Sequence, residues 1–257
     1  MPPPGLRRPA GDARVAGPRR AARAAAAVVR PRRHARRGHD QRRRFGAGWY
    51  PSAGAGAEAV RYRSAAPIWT DTSFAALAAV THGGGVLAAV RSATAGMPVT
   101  DTAAAPFGEG RWLFSHNGVV RGWPHAVTGL AAALPTADLL TLDAPTDAAL
   151  LWALVRHRLR TGADPADVLA GVVTEVAAAA PESRLNLLLT DGSGIWATAW
   201  SHALSVRGDE RHALVASEPT DHDPTWTEVP DRHLVVARPG HVRCTELATR
   251  DRTTGVR

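Results

Sequence analysis

RWLFSHNG, residues 111–118, is the stretch on which the reading of this chain turns. Trp112–Ser115 has the aromatic and apolar composition of a strand. The strand is expected to stop at His116–Asn117–Gly118, because Asn and Gly both tolerate the positive φ of a tight turn. A strand ending this way can aim a side-chain amide and a backbone N–H at one point, which is what an oxyanion hole requires. An isolated Asn-Gly is more often an ordinary hairpin turn, so its neighbourhood must decide.

Upstream, the buried-strand pattern Gly85–Val90 runs straight into Arg91, which opens RSAT (91–94). A guanidinium at a strand end is the best fork for a carboxylate, although a lone one is usually a solvated charge. FGAGWYP (45–51) is apolar and Gly-spaced. It precedes a small-residue loop at 52–56, a short strand over Ala57–Arg63 and a helical turn over Phe74–Val80. Downstream, Asp143 or Thr146 can cap a helix over Asp147–Leu159, with Ala148, Leu151, Trp152 and Val155 on one face. Asp147 complements that helix's dipole. Pro165 opens a second helix through Ala180. Strand signals follow at Arg184–Thr190, Ile195–Trp200, Leu204–Arg207, His212–Ser217 and His233–Ala237, with a turn at 191–194. Strands, then two helices, then a meander of strands make an α+β layout.

Composition narrows the function classes. The 257 residues suffice for one domain with a sizeable core. No apolar window is long enough for a transmembrane helix. The single cysteine, Cys244, excludes a disulfide framework and a cysteine-based metal site and points to a reducing cytoplasm. It lies in a late strand beside polar residues, where nothing would lower its pKa, so it reads as a structural thiol. Eleven His show no metal-ligand spacing, and the Asp221–His222–Asp223 cluster reads as a solvated loop, so no metal is assigned. All 31 basic residues are Arg. Fourteen of them lie in residues 1–44 against Asp12 and Asp40, so the basic character of the chain belongs to that segment and the remainder is net acidic.

Residues 1–44 contain no Phe, Trp or Tyr and show no helical or strand period, so they are expected to be disordered. A nucleic-acid-binding arm, a transit peptide and a twin-Arg export signal also compete. The transit peptide lacks Ser, and no apolar region follows either Arg pair.

Taken together and in order, FGAGWY (45–50), LAAVRSATAGMP (87–98), APFGEGRWLFSHNG (105–118), TDAAL (146–150), RLNLLLTDGS (184–193) and ASEPTDHDPTWTEVPDRHLV (216–235) resemble the ergothioneine-biosynthesis amidohydrolases. These are class II glutamine amidotransferase homologues of the N-terminal-nucleophile hydrolase type. The resemblance covers residues 45–250 and leaves 251–257 as a polar tail. It implies a four-layer αββα sandwich that hydrolyses the γ-glutamyl amide of a hercynylcysteine sulfoxide conjugate, a small molecule, without a cofactor. It implies that Asn117 and the Gly118 N–H form the oxyanion hole, that Arg91 pairs with the glutamyl α-carboxylate and Asp147 with its α-ammonium, and that Thr94 and His116 are walls of the pocket. A glutaminase subunit feeding ammonia to a synthetase, or an inactive homologue with a nucleic-acid-binding arm, are the alternatives.

One departure decides activity. Family members begin like MCRHLG. Removal of the initiator Met exposes Cys as the nucleophile, and its own α-amine, with a pKa of about 7.7–8.0, serves as base. They carry a segment like MRGGGTINADG just before the FG-x-GWY match. Here the chain opens MPPPGL, and residues 35–44 read ARRGHDQRRR. The genetic code reconciles the two. Read one frame off, Met1 and Pro2 enclose TGC, a cysteine codon, with no freedom. The next four hidden codons permit Arg, His, Leu and Gly. His39 through Arg44 permit TINADG once one base is restored before Phe45. Residues 1–44 are therefore read as out-of-frame translation, and the chain as written is expected to be inactive.

Overall fold

The computed structural model describes residues 24–29, 43–51, 57–92 and 100–248. Two β-sheets face each other. The first takes in β1 (Ala24–Val29), β2 (Arg43–Tyr50), β3 (Val60–Ser64), β4 (Gly85–Ser92), β9 (Ser205–Gly208), β10 (His212–Ala216) and β11 (Thr227–Glu228), in the order β11-β9-β10-β1-β4-β2-β3. The second takes in β5 (Phe107–Glu109), β6 (Trp112–Val119), β7 (Arg184–Thr190), β8 (Ile195–Ala199), β12 (His233–Arg238) and β13 (His241–Glu246), in the order β13-β12-β8-β7-β6-β5.

Strand alternation sets which side chains look inward. On β2, a Cβ at Gly46 would meet the Ala105 carbonyl oxygen, a Cβ at Gly48 would meet the Leu113 side chain, and Tyr50 donates its hydroxyl to the Thr190 and Arg111 carbonyls. Positions 44, 46, 48 and 50 therefore face the second sheet. There Tyr50, Leu87 and Ala89 join Leu113, Leu188, Ala197 and Val235 in the core between the sheets.

Phe45 points the other way. It meets Phe74 of α1 (Thr72–Val80) with ring centroids 4.7 Å apart, which sets α1 on the outside of the first sheet. Outside the second sheet lie α4 (Asp147–Arg160) and α5 (Pro165–Ala179). Their buried residues, Trp152, Val155, Leu169 and Val172 among them, close on Phe114, Leu185, Leu187 and Leu189 of β6 and β7. The layers run helix, sheet, sheet, helix, the αββα sandwich that the resemblance implies. The helix caps are chemical. The Thr146 hydroxyl accepts from the Ala149 N–H and the Asp164 carboxylate from the Ala166 N–H, as their positions before each helix require. Two short helices, α2 (Thr128–Ala132) and α3 (Thr136–Leu140), bridge β6 to α4.

Two expectations are corrected. SHNG is not a turn. β6 continues through it to Val119, paired with β7 from Leu113↔Thr190 to Val119↔Arg184. Gly118 serves close approach rather than a positive φ, because a Cβ there would stand 1.8 Å from the Arg184 carbonyl oxygen. The second correction concerns residues 1–44. Ala24–Val29 forms a strand paired in parallel with both β4 and β10, and β2 starts at Arg43, ahead of the expected break at Phe45. The gap between β4 and β10 presents backbone groups that must be paired, and six small apolar residues can pair them without any particular side chain. The rest of 1–42, the loop at 52–56, residues 93–99 with Thr94, and the tail from 249 onward lie outside the described residues.

Candidate active site

Arg91 is the penultimate residue of β4 and Asp147 begins α4, in separate layers, and the fold brings them together. Arg91 Nη2 stands 4.0 Å from Asp147 Oδ1. Asp147 is almost wholly buried. Its Oδ1 accepts from its neighbour Ala148 N–H (2.8 Å) and its Oδ2 from the Val120 N–H (3.1 Å). Those two bonds fix the carboxylate and tie the start of α4 to the end of β6, three residues beyond Asn117. Arg91 reaches the Ala103 carbonyl as well (3.5 Å) and keeps part of its surface open.

On β6, Ser115 and Asn117 share the face that looks into the space between the sheets with Leu113. Across the ladder Asn117 pairs with Asn186, whose amide is fully engaged: it donates to the His202 and Ala203 carbonyls and accepts from the Trp200 N–H. The two asparagines differ in one respect. Asn117 Nδ2 is buried and has no partner, and so is Ser115 Oγ. A buried amide N–H left unbonded costs about 1–3 kcal/mol, and native proteins carry few of them. The Asn117 amide N–H is thus a donor whose acceptor the described residues do not supply.

His116 lies on the opposite face of β6. Its Nε2 is 3.0 Å from the Arg184 carbonyl oxygen. Burial, chiefly, holds its pKa below the ordinary imidazole value, against the opposing pull of Asp147. The ring is neutral at pH 7, so Nε2 carries the proton and donates it to the carbonyl. His116 fixes the β6–β7 edge rather than exchanging protons.

The residue that sequence reasoning did not anticipate is Arg44. It opens the inner face of β2, stands opposite Arg91 in the β2–β4 register and is fully buried, yet Nε, Nη1 and Nη2 all lack partners. Burial, and then the Arg91 charge, pull its pKa below the usual guanidinium value. A buried cation without hydrogen bonds costs several kcal/mol. The clue in the sequence was the codon reading, which permits Gly at this position.

Cys244 sits exposed on β13, the edge strand of the second sheet, and burial of its sulfur raises the thiol pKa. Among the described residues no group of His, Cys, Asp and Glu is arranged to hold a metal ion, and no helix is long and apolar enough to cross a membrane. Asp221 and Asp223 are both paired with Arg207, and Trp226 donates to Asp221.

No protein-family model matches the chain. Among curated proteins, the chain is 41% identical over 203 residues to the γ-glutamyl-hercynylcysteine sulfoxide hydrolase of Mycolicibacterium smegmatis, which covers 79% of this chain and 81% of that protein. It is 40% identical over 211 residues to the protein of the same name from Mycobacterium tuberculosis, covering 82% of each. Among solved structures, a glutamine aminotransferase class-II domain protein from Silicibacter pomeroyi superposes with a TM-score of 0.61 at 24% identity, covering 79% of this chain and 91% of that one.

Proposed function

Because the chain belongs to the family of γ-glutamyl-hercynylcysteine sulfoxide hydrolases, we propose that its fold serves to cleave the γ-glutamyl amide of that small molecule, releasing glutamate. Arg91 takes the glutamyl α-carboxylate and Asp147 its α-ammonium. The Asn117 amide, with the Gly118 N–H, takes the negative charge that develops on the carbonyl oxygen under attack. The observation that carries this reading is the unmet, buried Asn117 Nδ2, three residues before the backbone that anchors the Arg91–Asp147 pair. A cytoplasmic setting suits a thiol-dependent reaction.

The group that attacks is not among the 257 residues. The one cysteine, Cys244, lies on an exposed edge strand with a raised pKa, the reverse of what a nucleophilic thiolate needs. We infer that residues 1–44 are the shifted reading of a segment that supplies a Cys nucleophile. Arg44 supports this from the folded side. It is the last residue before the frame becomes coherent, it is buried without a partner, and the shifted codons permit Gly in its place.

Glutamate release tests both parts. The 257-residue protein is expected to release none above background from a γ-glutamyl thioether conjugate or from glutamine. A chain with one base restored before the Phe45 codon, starting from the overlapping ATG, is expected to hydrolyse the conjugate in preference to glutamine. Equal turnover of glutamine would favour an ammonia-delivering subunit instead. Turnover by the 257-residue protein that is lost on Cys244→Ala would overturn the assignment of the nucleophile.

A further inference from the structure

The second sheet ends in an open edge. β13 is its last strand, and all six of its residues are exposed. One bond fixes where its backbone groups point. The Leu247 N–H donates to the Arg232 carbonyl, one step beyond the β12–β13 register, so the odd-numbered residues of β13 bond inward to β12. The N–H and C=O groups of Val242, Cys244 and Glu246 therefore point outward, and among the described residues no backbone group meets them. Such an edge is a template for another strand, and proteins commonly blunt it by shortness, Pro, a bulge or charge. The edges at β11, β5 and β3 have two, three and five residues, and Arg63 of β3 is held by Asp143. β13 has no Pro, and its register with β12 runs unbroken from Arg238↔His241 to His233↔Glu246.

The side chains suit a second copy of the same strand. An antiparallel pair about a two-fold axis must set outward residues against outward residues. Two registers do so over five residues of each strand, 241–245 or 242–246. The first is centred on Arg243 and sets two guanidinium groups directly opposite each other, which destabilises a strand pair. The second is centred on Cys244 and avoids that clash. Alternation puts Arg243 and Thr245 on the face where α5 lies, since Leu234, opposite Thr245, joins the core that α5 closes. There a groove of about 330 Å³ runs between α5 and β13, with Asp167, Ala170 and Gly171 on one side and Arg243 and Thr245 on the other. In the Cys244-centred register, Arg243 of the second copy stands opposite Thr245, on the side of the groove that faces Asp167. Neither Arg243 nor Asp167 has an ion-pair partner among the described residues. The pairing supplies one to each, twice over by symmetry.

We propose that β13 is a homodimer interface, on which a second copy of this chain pairs its own β13 antiparallel about Cys244 and joins the two six-stranded sheets into one. Val242, Cys244 and Glu246 of each copy then exchange N–H···O=C bonds with Glu246, Cys244 and Val242 of the other. Val242, one of the large apolar side chains left exposed, is covered by the stem of Glu246 of the second copy. The interface is separated from β6 by β12, β8 and β7, so it leaves Asn117 and the Arg91–Asp147 pair open and stands apart from the proposed function. A single strand pair buries less than a permanent dimer does, so a reversible dimer is expected.

Sedimentation velocity of the 257-residue protein over a concentration series tests the proposal and is expected to show a monomer–dimer equilibrium. Cys244→Pro removes an N–H that points to the open edge and takes no bond from β12, so the monomer keeps its fold while the dimer weakens about tenfold or more. Cys244→Val keeps the N–H and is expected to keep the dimer. Arg243→Glu, an exposed change that reads the interface even if Cys244→Pro does not fold, is expected to weaken the dimer about three- to tenfold, and adding Asp167→Arg to restore it. In the dimer the two Cys244 Cα atoms face each other about 5.5 Å apart, within reach of a disulfide. Diamide, which takes one hydrogen from each thiol and is itself reduced to the hydrazine, is expected to join them, and to join nothing in Cys244→Ser. A protein that stays monomeric at every concentration would leave the edge to another occupant and overturn the proposal. A dimer indifferent to Cys244→Pro and Arg243→Glu, or one that diamide does not cross-link, would overturn it as well.

Discussion

The two sheets are not equally finished. Outside the second, α4 buries ten residues and α5 six, and their contacts with β6 and β7 form one continuous core. Outside the first, α1 buries none, Trp69 and Val80 are 57% and 71% exposed, and Val86, on a strand flanked on both sides, is still 37% exposed. The inner faces differ as well. On β6 the unmet polar atoms are a hydroxyl and an amide, groups that a substrate can satisfy, whereas on β2 the unmet group is a whole guanidinium. The finished half holds Asn117, Gly118 and Asp147, and the unfinished half holds Arg44. A binding site and a defect both show as unsatisfied burial. What separates them is whether a plausible ligand could satisfy the group without repelling its neighbours, and Arg44 beside Arg91 fails that test.

The sharpest way to break this contrast is to restore the frame. The restored chain is expected to gain γ-glutamyl hydrolysis at least about 1000-fold above the written one, since Asn117 and its neighbours can lower the barrier only for an attack that now occurs. Cys→Ala at the new second codon should remove the gain. Binding of a hydrophobic dye should fall, because the restored segment is expected to cover the open side of the first sheet. DNA in which the wobble bases of codons 39–43 spell something other than T-I-N-A-D in the shifted frame ends the idea before any assay. Next in size is Arg91→Ala in the restored enzyme. Removing one partner of a buried charge pair costs about 2–5 kcal/mol, so kcat/KM should fall on the order of 100-fold or more. A loss below tenfold would mean that the glutamyl carboxylate is held elsewhere.

How much of this was legible in the sequence depended on what each segment asks of its side chains. β7, paired over Arg184–Thr190, and α5, opened by Pro165, followed from local composition because periodicity and caps carry the information. Helix α1 was legible only as a turn over Phe74–Val80, since it buries nothing, although Asp71 caps it by accepting from the Phe74 N–H. The SHNG stretch misled because Asn-Gly is a turn signal only where a positive φ is needed. Here the Gly answers the approach of the Arg184 carbonyl, a contact 66 residues away along the chain that no local rule sees. The pairing of Arg91 with Asp147 came from the resemblance, not from spacing.

Arg44→Gly in the 257-residue chain sharpens the contrast at a single residue. It removes a buried, unpaired charge, and the freedom that Gly adds to the unfolded chain offsets about 1 kcal/mol of the gain. A net stabilisation of about 2 kcal/mol is expected, read as a rise in Tm of about 5 °C. An unchanged or lower Tm would show that Arg44 has found a partner in solution, and the structural support for the shifted frame would go with it.

The smallest effect concerns the finished half. Burial lowers the pKa of His116 in the folded protein, so between that lowered value and the ordinary value near 6.5 the unfolded chain binds a proton that the native protein does not. Stability then rises with pH through that window and is lost as pH falls below about 6.5. One proton sets the upper bound of the slope at about 1.4 kcal/mol per pH unit. On protonation Nε2 could still donate to the Arg184 carbonyl, so the penalty is one of desolvation and not of a lost bond. Chemical denaturation at a series of pH values between 5 and 8 reads the slope directly. His116→Gln can keep a donor near the carbonyl without a titrating ring, and it should flatten the slope in that window while leaving the midpoint near pH 8 little changed. A slope that survives the substitution would assign the proton to another histidine and would remove the case that His116 is held neutral at the β6–β7 edge.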